Sequence, residues 1–185
     1  MLDFLKESRQ RRLLKNLSES TRAKKIANLD DMRMIGIVFT VGSKVNWDIL
    51  YRFTKELEQG NRTVWLIGYQ PKEVNINYIF THSRMVICHE KTDFNFFGIP
   101  KPEMLGTFLA QRYDLLIDTT QEPNFFGKYI SLRTQADLKV TYVNDNAGND
   151  TQTERIFDFM LHGVKPVELA TFLNETKKYL SMIHK

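Results

Sequence analysis

The stretch "MIGIVFTVGSKVNWDILYRFTKELEQGNRTVWLIGY", residues 34–69, decides the fold. It opens on a continuous apolar run, Met34–Val41, partly β-branched, the pattern of a strand buried on both faces. Gly42 ends that run, and Asn46 is expected to cap a helix with Asp48 in its first turn. Trp47, Leu50, Tyr51, Thr54 and Leu57 line one face of this helix, and Gly60 stops it. A second apolar run, Thr63–Tyr69, follows at once. Strand, helix and strand at this spacing make a βαβ unit, with a right-handed crossover and parallel strands.

The unit recurs down the chain. "MVICHE" (85–90) reads as a third strand, and Pro102 opens a short helix with Met104, Leu105, Phe108 and Leu109 on its apolar face. "YDLLIDTT" (113–120) is the clearest strand, and "NFFGKYISLRTQ" (124–135) reads as a helix with Asn124 at its cap. "LKVTYV" (138–143) alternates Leu138, Val140 and Tyr142 with Lys139 and Thr141, which points to a less buried strand nearer the sheet edge. "NDNAGND" (144–150) is a loop. "ERIFDFML" (154–161) fits strand or helix equally, and 70–84 has room for a short strand around Tyr78–Phe80. From Pro166 a long amphipathic helix closes the chain, with Leu169, Phe172, Leu173, Thr176, Tyr179, Leu180 and Ile183 on one face. The expected fold is α/β: a Rossmann-like three-layer sandwich around a mostly parallel sheet of about five to six strands.

Before that body comes an arm. Residues 2–26 lack Pro and Gly and read as helix, with apolar positions only at the two ends. Residues 1–25 hold eight Lys or Arg against three acids, a net +5, so the remaining 160 residues sum to −1. The division expected is a basic helical arm over 1–28 and one α/β domain over 33–185, a size that buries roughly 70% of the unfolded chain's surface. Arg9, Arg11, Arg12, Lys15, Arg22, Lys24 and Lys25 are expected to engage an acidic partner. RNA or a ribonucleoprotein stands first, through counterion release, an acidic protein surface fits the same charge, and an anionic membrane surface or the arm's own domain are the other readings.

No apolar run nears the roughly 20 residues needed to span a bilayer. "MLDFLKESRQRRLL" has no apolar core followed by a small-residue cleavage site, so no secretory signal is read and a cytoplasmic protein is expected. Cys88, the single cysteine, excludes an intrachain disulfide and reads as a small buried strand residue.

In an open parallel sheet, ligands bind beyond the carboxyl ends of the strands where strand order reverses. Those ends carry Thr40, Gly42 and Ser43; then His89, Glu90, Lys91, Thr92 and Asp93; then Asp118, Thr119, Thr120 and Glu122. If this rim is catalytic, Asp118 serves as acid/base and Thr119 as hydroxyl donor, with His89, Glu90 and Asp93 from the neighbouring loop. The reading leans away from an enzyme, because strand-to-helix loops need such residues as helix caps in any case. "TVGSKVNW" has one glycine where a dinucleotide turn needs G-x-G-x-x-G, and no P-loop occurs, so no nucleotide cofactor is expected. His82, His89 and Glu90 do not have a standard metal-ligand spacing, so no metal is expected either.

Two copies of Asn-Phe-Phe-Gly, 95–98 and 124–127, fall on the same rim. The second is expected to start a helix with its aromatics turned inward. The first, before Ile99-Pro100, is expected to be a turn folded over the rim. Whether these phenylalanines fill the strand-end cleft or wall it decides whether the rim can hold a ligand.

"LDDMRMIGIVF", "LIGYQPK", "INYIFTHS", "ICHEKTDFNFFGIPK" and "YDLLIDTT" together resemble a small uncharacterised family of Bacteroidetes proteins of about this length, which implies no catalytic residue. "RYDLLIDTT", a helix and "ADLKVTYVN" are similar to the N-terminal, acceptor-side half of heptosyltransferase-type glycosyltransferases. That likeness implies the fold. Such enzymes hold the sugar nucleotide in a second domain for which this chain has no room.

Overall fold

A computed structural model describes residues 2–17, 24–74, 77–79, 82–120, 125–145, 151–163 and 167–183. Its strands are β1 Met34–Thr40, β2 Thr63–Gln70, β3 Met85–His89, β4 Arg112–Asp118, β5 Gln135–Asn144 and β6 Phe159–Gly163. They form one six-stranded sheet in the order β3-β2-β1-β4-β5-β6. Every neighbouring pair is parallel. The chain starts at the centre, moves outward through β2 and β3, then returns to lay β4 beside β1 and moves outward the other way. Strand order therefore reverses between β1 and β4.

The helices are α1 Leu2–Asn16, α2 Lys44–Gln59, α3 Pro102–Leu109, α4 Phe125–Arg133, α5 Thr151–Ile156 and α6 Leu169–Ser181. On one face of the sheet, Trp47, Leu50 and Leu57 of α2 and Phe172, Leu173 and Leu180 of α6 pack on Ile37, Leu66 and Leu115. On the other, Leu105 and Phe108 of α3, Phe126 and Ile130 of α4 and Ile156 of α5 pack on Val38, Ile67 and Leu116. Leu14 of α1 belongs to this second core. Two apolar layers around a strand set buried on both faces make the three-layer α/β arrangement expected from the alternating pattern.

Several local expectations change. The helix after β1 begins earlier than Asn46: Ser43 is its cap, and the Ser43 hydroxyl accepts from the Asn46 N–H at 3.2 Å. Either residue type can cap, and the chain turns soon enough after β1 for the first of them to be used. No strand occurs among the described residues of 71–84; Tyr78 lies in a bend, and Phe80 is outside the described residues. "ERIFDFML" is both of the things it resembles, helix to Ile156 and strand from Phe159.

That last point corrects the expected exposure of "LKVTYV", which lies near the sheet edge but not at it. Because β6 pairs with β5, β5 is an interior strand. Lys139 and Thr141 are buried. The Lys139 ammonium donates to the Ser131 carbonyl on α4 at 2.6 Å, and the Thr141 hydroxyl donates to the Asp118 carbonyl at 3.3 Å. A buried lysine needs such an acceptor, since an unpaired charge there would cost several kcal/mol (about 3–5).

The arm also differs from the helix expected over 2–26. It leaves the helix after Asn16, and residues 24–28 are irregular. The Lys25 N–H donates to the Asp137 carbonyl at 3.1 Å, which holds this stretch against the start of β5 in a non-helical path. Lys6, Gln10, Leu13, Leu14 and Leu17 recur at helical spacing and face inward. Arg155 of α5 donates to the Leu14 carbonyl at 2.8 Å, which joins the last turn of α1 to α5.

Candidate functional site

At the carboxyl ends of β1, β2 and β4, where strand order reverses, the structure has a cleft of about 900 Å³. Its floor is Thr40–Gly42 after β1 and Thr119–Thr120 after β4. One wall is the start of α2 with Val45, Asn46, Trp47 and Ile49, continued by Val167–Leu169 at the beginning of α6. The opposite wall is aromatic: Tyr69 from β2, Phe94 after β3, and Phe125 and Phe126 from α4. Lys6 and Gln10 of α1 complete the enclosure, so the arm is a wall of the cleft.

Local chemistry explains how these groups come to be there. The Tyr69 ring sits 5.5 Å from Phe94 and 5.7 Å from Phe126, and those two rings are 6.0 Å apart, so the aromatic wall is held by its own edge and tilted contacts. On the other side Trp47 packs at 5.9 Å from Phe39. Tyr78 donates its hydroxyl proton to the Gly42 carbonyl and so ties the otherwise irregular 77–79 segment to the cleft mouth.

The polar groups are few and fixed. The Tyr69 hydroxyl hydrogen-bonds Glu90, the Lys72 N–H donates to Glu90 at 3.1 Å, and the Lys6 ammonium lies 3.9 Å away. Burial by itself would raise the Glu90 pKa, but the Tyr69 and Lys72 hydrogen bonds and the Lys6 and Lys72 charges outweigh it and hold the carboxyl below its ordinary value. Burial, then the Glu90 charge and hydrogen bond, push the Tyr69 phenol far up, so it stays a donor. The Thr119 hydroxyl donates to the Val38 carbonyl at 2.9 Å, so its oxygen keeps acceptor capacity.

Asp118 lies below this floor. It is 3% exposed, accepts from the Thr120 N–H at 2.9 Å and from the Thr120 hydroxyl at 2.5 Å, and backs onto Gly127. Burial raises its pKa to about 6, against the Thr120 hydrogen bonds and the Lys128 charge, which lower it. The sign of the consequence follows from linkage. Below the ordinary value of 3.8 the acid is protonated folded and unfolded, and its contribution is intact. Between there and about 6 the folded state keeps a proton the unfolded chain has released, and that contribution is lost as pH rises. About 3 kcal/mol is involved. The Asp118→Asn variant lacks this titration. Its unfolding free energy, compared with wild type by urea titration, is expected to improve by up to about 3 kcal/mol between pH 4 and pH 7. A constant difference across that range would contradict a buried, raised carboxyl.

The other sequence-designated rim residues divide by place. Glu90, Thr119, Thr120, Thr40 and Gly42 meet in the cleft. Asp93 does not line it: its carboxylate accepts from the His89 N–H at 2.7 Å and the Thr92 hydroxyl at 2.9 Å and staples its own loop. The half-buried His89 also lies away from the cleft. Burial, with Asp93 nearby, pushes the Cys88 thiol up to about 12, as suits a packing residue. His82 pairs with Glu58 at 3.0 Å. Among the described residues no three His, Cys, Asp or Glu side chains gather in a metal-sized cluster.

Gly42 is not the close-approach glycine of a dinucleotide turn. A Cβ there would meet nothing nearer than Asn46 Nδ2 at 3.9 Å, so the backbone has no cradle pressed against it. The sheet has the strand order of dinucleotide-binding folds without their phosphate turn.

The two Asn-Phe-Phe-Gly copies part company here. Phe125 and Phe126 wall the cleft, while Asn124 lies outside the described residues. The first copy is a turn at the rim, closed by pairing between Phe94 and Pro100, and its Phe96 and Phe97 point to solvent. None of these four rings closes the space between the strand ends.

Of the basic arm residues, Arg11 pairs with Glu7 at 3.1 Å and Lys24 with Asp158 at 3.0 Å. Arg9 lies over the Phe97 ring, 5.8 Å from its centroid. Lys25 is fixed through its backbone, and Arg12 and Lys15 are exposed with no ion pair among the described residues. Arg22 lies outside the described residues. No helix among the described residues is long and apolar enough to cross a membrane.

Tyr69, Lys6, Gln10 and Val45 were not singled out by sequence. Tyr69 was within reach, because it stands near the carboxyl end of β2, paired in register with Thr40 at the end of β1. Lys6 and Gln10 carry a weaker signal: they continue the Leu13–Leu14–Leu17 stripe at helical spacing, with long stems that cover apolar surface.

The family model described as "Family of unknown function (DUF6913)" matches residues 6–183. No curated protein and no solved structure matches the chain.

Proposed function

The chain belongs to DUF6913, a family of unknown function, and we propose that it works as a small-molecule-binding module whose ligand occupies the strand-end cleft. The observation that carries this reading is the cleft's position and make-up together. Its volume of about 900 Å³ falls within the roughly 300–1,000 Å³ of ligand pockets, and its aromatic walls with a few converging polar groups are what such pockets use. The location at the β1–β4 reversal is where open parallel sheets place ligands.

The ligand class follows from the lining. A planar or aromatic body fits between the Tyr69–Phe94–Phe126 wall and the Trp47 side. A hydroxyl or amine on it meets Glu90, an acceptor held ionised, and the Thr119 and Thr120 oxygens. A diphosphate is disfavoured, since the turn after β1 has no glycine cradle. Binding is favoured over acid/base chemistry, because Asp118 lies under the floor and Glu90 is held in one protonation state by its neighbours.

The test uses a panel of aromatic hydroxy and amino compounds, among them tyramine, 4-hydroxybenzoate and adenosine, with the full chain. At least one is expected to bind at millimolar or lower concentration. Val45→Trp adds bulk at an exposed first-turn position of α2 that lines the cleft, so it should weaken that binding by at least about tenfold without lowering Tm. Equal affinity in both proteins would sink the assignment to this cleft.

A further inference from the structure

The Asn95–Gly98 turn is a rigid mount for exposed aromatic rings. The Asn95 side-chain oxygen accepts from the Phe97 N–H at 2.9 Å and the Ile99 N–H at 3.1 Å. Gly98 supplies the left-handed φ of +68° that closes the turn, a conformation costly for other residues. At its base the Lys101 N–H donates to the Asp93 carbonyl at 2.8 Å. On this mount Phe96 is 71% exposed and Phe97 36%. So much ordering of backbone to hold two phenylalanines in water is unexplained by packing.

The arm lies alongside. Gln10 donates to the Phe97 carbonyl at 2.9 Å, and Arg9 covers the Phe97 ring. The solvent side of α1 carries Phe4, 73% exposed, and Leu5, 50% exposed, then Arg12 and Lys15. Exposed apolar side chains and exposed cations thus occur together on α1 and on the turn it touches. Within α1 five Lys or Arg (Lys6, Arg9, Arg11, Arg12 and Lys15) stand against two acids (Asp3 and Glu7), which gives the helix its sign.

We propose that this surface docks on an anionic lipid bilayer, with Phe96 and Phe4 entering the interfacial layer and Arg9, Arg12 and Lys15 facing the acidic headgroups. Charge complementarity selects the occupant: cationic side chains beside protruding apolar ones are what an anionic interface attracts and holds. Single-stranded RNA suits the geometry less well. Phe96 and Phe97 pack on each other edge to face, at 83°, so they do not offer parallel faces for successive bases. Phe4 and Leu5 sit on the outside of a helix, with no groove to track a strand.

The experiment is co-sedimentation of the full chain with phosphatidylcholine vesicles, with and without phosphatidylserine, beside a binding titration with polyuridylate. Binding is expected only with phosphatidylserine, and it should fall as salt is raised. Phe96→Ser and Phe4→Ser remove exposed side chains and should leave Tm unchanged, yet together reduce the bound fraction at least about tenfold. Arg9→Gln with Arg12→Gln should weaken binding and flatten its salt dependence. No binding to the acidic vesicles, or the same binding by the serine variants, would overturn the proposal. So would binding to polyuridylate, lost in those variants, in a protein that ignores vesicles.

Discussion

Deletion of residues 1–17 is expected to destabilise the protein by about 3–5 kcal/mol and to abolish ligand binding in the cleft. The energetic part comes from the second core. Leu14 is 5% exposed within that core, and Leu13 and Leu17 pack against it. Full burial of a leucine side chain contributes about 1.5–3 kcal/mol, and the two flanking leucines add fractions of that. Arg155 would also lose the Leu14 carbonyl it reaches. The binding part comes from Lys6 and Gln10, which close one side of the cleft, and from the charge Lys6 brings to Glu90. Urea titration of the truncated and full chains checks the first effect. A truncated chain as stable as the full one would mean that the arm is an appendage, and that its inward stripe contributes nothing to the body.

The second large effect is expected from a single methyl group. Gly127 lies in the first turn of α4, directly over the Asp118–Thr120 pair. A Cβ at that position would press on the Thr120 hydroxyl oxygen and stand 2.7 Å from Asp118 Oδ2. Neither neighbour is the loose end of a flexible side chain. Both are fixed by the hydrogen bonds that join Asp118 to Thr120. Gly127→Ala must therefore either break those bonds, leaving a buried carboxyl without its donors, or push α4 off the sheet. About 2–4 kcal/mol of destabilisation is expected. Alanine normally stabilises a helix relative to glycine by up to about 1 kcal/mol, so even the sign of the result is informative. An unchanged or raised Tm would show that the β4–α4 junction has slack. The Thr119–Thr120 floor would then not be rigidly set.

The central sheet was legible because its strands are buried on both faces and so lack polar alternation. Met34–Thr40 and Thr63–Gln70 are continuous apolar runs bounded by glycine, and they emerged within a residue of where they were expected. The far side of the sheet was harder. Lys139 looked like a solvent-facing residue, and its ammonium is buried on the Ser131 carbonyl, brought over it by α4. A side chain whose partner lies in another element cannot be placed by local periodicity. "ERIFDFML" failed for a related reason. A helix of six residues and a strand of five are each too short to establish a period, and Asp158, which separates them, accepts from the Lys139 N–H.

The site was legible as a region and not as a residue set. The strand-end rule put Glu90, Thr119 and Thr120 on a common rim, and the cleft brings them together. It could not foresee that Asp118, one residue before Thr119, faces the other way. In a strand successive side chains alternate, and one step of register separates the cleft floor from the layer beneath α4. Nor does a rule about strands reach Lys6 and Gln10, which arrive from a helix some ninety residues away in sequence from the turn they touch. The Phe-Phe-Gly of the first copy lies in a turn and that of the second in the first turn of a helix. Their likeness follows from both lying after strands.

The most direct test of the cleft as the place of function is an amide map of the full, isotope-labelled chain during titration with the best binder of the aromatic panel. Shifts should concentrate at Thr40–Trp47, at Tyr69 and Gln70, and at Thr119 and Thr120. A second group should appear on α1 at Lys6 and Gln10, which adjoin the cleft although they are remote in sequence. Changes at the strand ends together with α1 are the result this structure requires. Saturable binding that leaves both groups unmoved, or that moves residues elsewhere on the sheet, would contradict it.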